Sequence, residues 1–326
     1  SFVARVDRVC DQADVSLSRI RAAFAGTPAD AGGSRWKRVS MLTVHYRDAD
    51  WSCDCIPEDG ARLSRLAYRD IDLLTGPPST FRPPVSCGLY ETRPVYGYDD
   101  CFPSVTAGHH PTRDIPVPDH GSCWRIFAPT VLLPDGLEST FHLPLYDARL
   151  WRKISFTPAG IRWQFRIDNL GHEVLPCQHV MHPLMPPQRI RGLRLPRFGA
   201  CFDLIAQKPL DLREPAAVER HLLETPRGVA RLLMLRQLSE HTFTVQFREG
   251  LSVAVDVPPH LFQTLGIWWD RAGYPTEPDL QREECAFEPI PGPRSALEDA
   301  YASGQAFMVP AGGHLEWEIG WRISSA

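Results

Sequence analysis

The first regular pattern of apolar positions is helical. Between Arg5 and Phe24 the side chains Val6, Val9, Cys10, Ala13, Leu17, Ile20 and Phe24 recur at steps that line one face of an α-helix. The run AGTPADAGGS behind them has the Gly, Pro and Asp content of a linker. Beyond it the period shifts towards two. RVSMLTVHY, ISFTPAGIRWQFRIDNLG, HTFTVQFREGLSVAVDV and LEWEIGWRI are alternating or β-branched runs broken by turn residues. In IRWQFRI, Ile161, Trp163, Phe165 and Ile167 share one face while Arg162, Gln164 and Arg166 take the other, the pattern of a half-buried antiparallel strand. HTFTVQF and LSVAVDV are joined by REG, a short hairpin loop.

Two short helical patterns interrupt the strands. EPAAVERHLLET has proline in its first turn and Ala217, Val218, His221 and Leu222 on one side. PRSALEDAYASG starts at Pro293 and stops at Gly304. The pattern predicts an all-β protein, a large antiparallel β-sandwich over 41–326, preceded by a helical N-terminal extension and linker over 1–40.

Composition agrees with this picture. The 326 residues hold 31 prolines and 23 glycines, a turn-rich balance unlike that of a helical bundle. A net charge of -4 offers no basic field for nucleic acid or an anionic membrane. Nine cysteines, with no Cys-x-x-Cys pair, argue against a disulfide framework and for a reducing compartment. No apolar run reaches the roughly 18–20 residues of a membrane span. The expectation is a soluble cytoplasmic protein.

The chain has no Walker loop, Gly-x-Gly-x-x-Gly, Gly-x-Ser-x-Gly or His-Glu-x-x-His. Polar residues in apolar, turn-rich settings remain: Asp99 and Asp100 in GYDDCFPSV, Asp119 and His120 in PVPDHGSCW, His179 and His182 in CQHVMHPLMPP, Trp268, Trp269 and Asp270 in GIWWDRAGYP, and Glu288 in EECAFEPIPG. Paired tryptophans beside carboxylates suit a sugar, whose C–H face stacks on indole while its hydroxyls need acceptors; their plainer reading is core packing. Each histidine taken alone is as readily a hydrogen-bonded structural residue. Glu288 follows CAF, which reads as a buried strand. Burial there raises a carboxyl pKa towards the range of a general base, unless the residue simply ends the strand in solvent.

The order of these segments resembles the galactose mutarotase superfamily, the aldose 1-epimerase-like β-supersandwich proteins, from about Asp54 to the C-terminus. DCIPEDGARLSRLAY resembles the early strand of that family, and GYDDCFPSV with VPDHGSCW the approach to its first active-site histidine. RIDNLGHEVLPCQHVMHPLM resembles the segment ending in His-Pro, CAFEPIPGPRSAL the strand ending in Glu-Pro, and VPAGGHLEWEIGWRI the closing strand. The resemblance implies anomer interconversion, with Glu288 as general base, His182 as general acid, and His120 and Asp270 binding the sugar. Asp100, Asp119, His179, Trp268 and Trp269 complete the expected binding set, and neither metal nor cofactor is called for. Two departures stand out: Leu184 and Met185 replace an aromatic pair after His-Pro, and the arginine that often follows the early strands in relatives has no clear counterpart. In an extended segment His179 and His182 point to opposite faces, so one of them alone faces a given cleft; Pro183, Pro186 and Pro187 oppose a helix there.

Three other readings stay open. His109, His110, His120, His179 and His182 with Asp99, Asp100 and Asp119 could supply a metal-dependent β-fold enzyme. The sandwich could bind carbohydrate without catalysis. Arg189, Arg191, Arg194 and Arg197 could serve a phosphorylated hexose. A sugar is the expected small-molecule partner, and a homodimer is one of the roles open to the N-terminal helix.

Overall fold

The strand Glu283–Ile290 is buried at seven consecutive positions, which the run EECAFEPI requires if both of its faces are covered. In the computed structural model, which describes residues 42–78, 90, 95–276 and 280–325, it is the end strand of a five-stranded antiparallel sheet. The order is Lys208–Leu210, Ala200–Asp203, Val229–Arg236, Thr264–Arg271, Glu283–Ile290. A second sheet runs Val44–Arg47, Trp51–Ile56, Arg62–Tyr68, Tyr98–Cys101, Val180–Pro183, with Ile71–Asp72 paired to Arg62–Tyr68. The end strands of the two sheets meet where Met185 and Cys285 exchange backbone hydrogen bonds of 2.7 and 2.8 Å. His-Pro and Glu-Pro therefore lie on adjoining strands.

Against one side of this composite surface packs an eight-stranded sheet, in the order Ile190–Arg194, Thr242–Phe247, Leu251–Asp256, His314–Ser325, Gly160–Asn169, Ala148–Thr157, Gly136–Leu143, Thr130–Leu133. The period of two in IRWQFRI takes effect here: Ile161, Trp163, Phe165 and Ile167 are buried in the core, while Arg162 is exposed and pairs with Glu318. Fully burying such a side chain contributes about 1.5–3 kcal/mol. The hairpin predicted at REG joins Thr242–Phe247 to Leu251–Asp256. Of the segments EPAAVERHLLET and PRSALEDAYASG, Pro215–Leu223 and Leu297–Ala302 are helical, the second helix being shorter than the stretch predicted from Pro293 to Gly304.

The antiparallel β-sandwich is thus as expected. The helical extension predicted over 1–40 lies outside the described residues. Cys53, Cys55, Cys101, Cys123, Cys177, Cys201 and Cys285 are free and buried. Among the described residues no helix is long and apolar enough to cross a membrane.

Candidate active site

Adjacent residues of a strand face opposite sides, and this sorts the candidates. On Tyr98–Cys101, Asp99 points to the face shared by His182, its register partner on Val180–Pro183. The imidazole donates Nδ1–H to Asp99 Oδ1 at 2.9 Å; a carboxylate only accepts, so the proton on that nitrogen is assigned. Asp99 Oδ2 accepts from Arg62 Nη2 at 2.6 Å and from the Tyr90 hydroxyl at 2.9 Å. The other nitrogen, Nε2, lies 3.9 Å from Glu288 Oε1. His182 and Glu288 are each only 5% exposed.

Glu288 belongs to a stripe. Glu284, Ala286 and Glu288 alternate along their strand, and their register partners Asp270, Trp268 and Gly266 share the same face. The Trp268 indole donates to Glu284 Oε1 at 3.4 Å and meets the Tyr274 ring edge-on. Asp270 is fully buried; Oδ1 accepts from the Gly273 amide at 2.7 Å, while Oδ2 has no partner among the described residues.

His120 comes from a tight turn. Its φ of 56° and the 69° of Gly121 are both left-handed, and a Cβ on Gly121 would meet the Phe102 carbonyl oxygen at 2.1 Å. Glycine is therefore needed behind the histidine. The turn sets the His120 ring flat on Tyr90, with centroids 3.8 Å apart, and 5.0 Å from the His182 ring. His120 Nδ1 bonds Asp119 Oδ2 at 2.8 Å.

Burial pushes the Glu288 carboxyl above its ordinary range, against the pull of His182 and His120. Burial opposes the charge on His182, but the Asp99 hydrogen bond and charge, with Glu288 and Glu284, outweigh it and raise the imidazole. Asp119 is held low because His120 overcomes its burial. Asp270 is pushed up to about 7, chiefly by burial, with the Glu284 charge adding to it. The arrangement favours the charged form of the imidazole and disfavours that of the carboxyl beside it, placing a proton donor next to a proton acceptor.

Other candidates lie elsewhere. Asp100 points into the core, where it accepts from Arg152 Nη1 at 2.5 Å and the Tyr98 hydroxyl at 2.6 Å. His179 joins that cluster through Asp100 Oδ1 at 3.0 Å, with its ring against Phe165 and Trp317. Trp269 is a core residue on the face opposite Trp268. His109 is exposed on the short strand Gly108–His109, and His110 is buried near the Tyr146 ring. Among the described residues no three His, Cys, Asp or Glu side chains are grouped to hold a metal ion. Arg189 pairs with Glu249 and Arg197 with Glu240; Arg191 and Arg194 are exposed on Ile190–Arg194, a strand of the eight-stranded sheet.

An arginine that no motif revealed also belongs here: Arg62, on the strand Arg62–Tyr68, is fully buried and also bonded to Asp59 Oδ2 at 3.0 Å. Tyr90 was likewise unseen. A left-handed Gly60-Ala61 turn directly before an arginine, with Asp59 three residues back, is the one local signal for the former.

No protein-family model and no curated protein matches the sequence. Solved structures do. The Slr1438 protein of Synechocystis sp. PCC 6803 superposes with a TM-score of 0.68 at 17% identity, over 91% of this chain and 100% of its own. A galactose mutarotase-like protein of Lactobacillus casei gives 0.61 at 14% identity, over 87% and 100%. Another, from Clostridium acetobutylicum, gives 0.62 at 14%, over 87% and 95%. The chain has the galactose mutarotase-like fold.

Proposed function

We propose that the protein is an aldose 1-epimerase-like isomerase, interconverting the anomers of an aldose or aldose derivative by general acid–base ring opening. The observation that carries this reading is the 3.9 Å approach of His182 Nε2 to Glu288 Oε1. A hemiacetal hangs its hydroxyl and its ring oxygen on one carbon, so an acid and a base serving both must be close neighbours.

Glu288 takes the proton of the C1 hydroxyl. As C1=O forms, the bond from C1 to the ring oxygen breaks, and that oxygen takes the proton of His182 Nε2. Acid and base are then both neutral. The open aldehyde turns about C1–C2, Nε2 recovers its proton as the former ring oxygen attacks the other face, and Glu288 returns its own to O1. No proton is lost to solvent over the cycle, and the scheme calls on no metal and no cofactor. Each well-placed group supplies roughly 10²–10⁴-fold in rate. In this reading His120, held by Asp119, hydrogen-bonds a neighbouring sugar oxygen and the half-buried Trp268 stacks on a ring face.

The names of the mutarotase-like structures that share the fold support the same reaction class. The test is NMR saturation exchange between the anomers of a panel of free and phosphorylated aldoses. Faster exchange for at least one aldose is expected when protein is added; exchange unchanged across the panel would contradict the proposal.

A further inference from the structure

We propose that Asp99 is the positioning residue of the acid: it holds the Nδ1 proton of His182, so that Nε2 alone gives and recovers a proton at the sugar. This rests on the reading of His182 as the acid and adds a residue to it. The two oxygens of Asp99 divide the work. Oδ2 takes Arg62 and Tyr90, which fixes the rotation of the carboxylate, and Oδ1 faces Nδ1, with the Tyr90 hydroxyl 3.2 Å from the same nitrogen. Tyr90 ties the arrangement to the second histidine, since the ring whose hydroxyl bonds Asp99 lies flat on His120.

The charges form a row of alternating sign. Asp59 meets Arg62 at 3.0 Å, Arg62 meets Asp99 at 2.6 Å, Asp99 meets His182 at 2.9 Å, and His182 meets Glu288 at 3.9 Å. A protonated imidazole completes that row, whereas a neutral one leaves two buried carboxylates facing an uncharged ring. Removing a lone proton from His182 is therefore costly in a site this buried. Ring opening avoids the cost, because Glu288 becomes neutral in the same event. Asp99 thus biases the site towards paired proton movement over loss of one proton. The other titratable groups around the ring are Glu284 on the base strand, Tyr90, His120 and Asp119.

The experiment is nitrogen-15 NMR of histidine-labelled protein through a pH titration, in wild type and Asp99→Asn, beside the pH–rate profile of anomer exchange. In wild type, neutral His182 should keep its hydrogen on Nδ1. The amide of the variant retains an acceptor oxygen without the charge, so the His182 titration should move down by about one pH unit, tenfold in proton affinity. The alkaline limb of the rate profile should follow by the same amount. A wild-type spectrum with the neutral hydrogen on Nε2 overturns the proposal without any variant. So does an Asp99→Asn protein whose rate falls equally at every pH with its limb in place. The NMR readout needs no turnover, so a protein that moved no anomer would sink the acid reading while leaving the Asp99–His182 coupling measured.

Discussion

One pair of strands carries two aspartate–histidine pairs, one on each face. Asp99 with His182 and Asp100 with His179 use the same residue types at 2.9 and 3.0 Å, and all four side chains are buried. What separates them is the third partner. Asp100 is neutralised by Arg152, which is wedged between the rings of Tyr98 and Phe141, and His179 is enclosed by Phe165 and Trp317. That cluster is closed inside the core, its carboxylate and its guanidinium paired with each other. His182 turns its second nitrogen towards a carboxyl that burial has made a weaker acid. In the proposed mechanism the difference lies on the far side of the imidazole, where His182 meets a carboxyl and His179 meets aromatic rings.

The sharpest way to break this contrast is at Glu288. Glu288→Gln should lower anomer exchange by about 10²–10⁴-fold while calorimetry shows sugar affinity little changed. A variant keeping more than a tenth of the wild-type rate would remove Glu288 as the base. At His182, His182→Asn should cost at least about a hundredfold, and an unchanged rate would strike it from the mechanism.

On the core face the expected loss is of stability. Arg152→Met leaves Asp100 buried without its ion pair, and chemical denaturation should show about 3–5 kcal/mol lost. The alkaline limb of the rate profile should stay in place; if it moved with this variant, the two faces would not be independent.

A pH-dependent effect belongs to Asp270. Its folded value of about 7 lies above the ordinary 3.8, so the folded state binds the extra proton between them. Stability from this group is full below about pH 4, falls as pH rises, and levels off above about 7. Asp270→Asn should flatten that part of the stability–pH curve, and an unaltered slope would contradict the assignment.

Much of this was legible in the sequence because a period of two survives folding unchanged. IRWQFRI and the two strands about REG became strands of the eight-stranded sheet, and CAFEP marked a buried strand with its carboxylate. The family resemblance implied one site for His182, Glu288 and His120, and the structure brings all three to one place. Alternation also required His179 and His182 to part, yet it does not say which face is the core. That is why Asp100 was chosen for the site where the structure places Asp99. Arg62 stayed hidden for a related reason. An arginine in a strand reads as a solvent-facing residue, and the carboxylate that balances it, Asp99, is 37 positions away in the chain. A burial that depends on such a distant partner leaves no local pattern. Tyr90 is the same case, 92 positions from the histidine it touches.

The pH dependence of anomer exchange, followed as the relaxation of optical rotation after a pure anomer of the responsive aldose is dissolved, tests the acid–base pair most directly. Glu288 must be ionised and His182 charged, and both titrate above their ordinary ranges. The rate should therefore rise through a limb above the usual glutamate value and fall through one above the usual histidine value. A bell displaced upward at both limbs is the predicted result; acceleration that ignores pH, or a profile with both limbs at ordinary values, would contradict it.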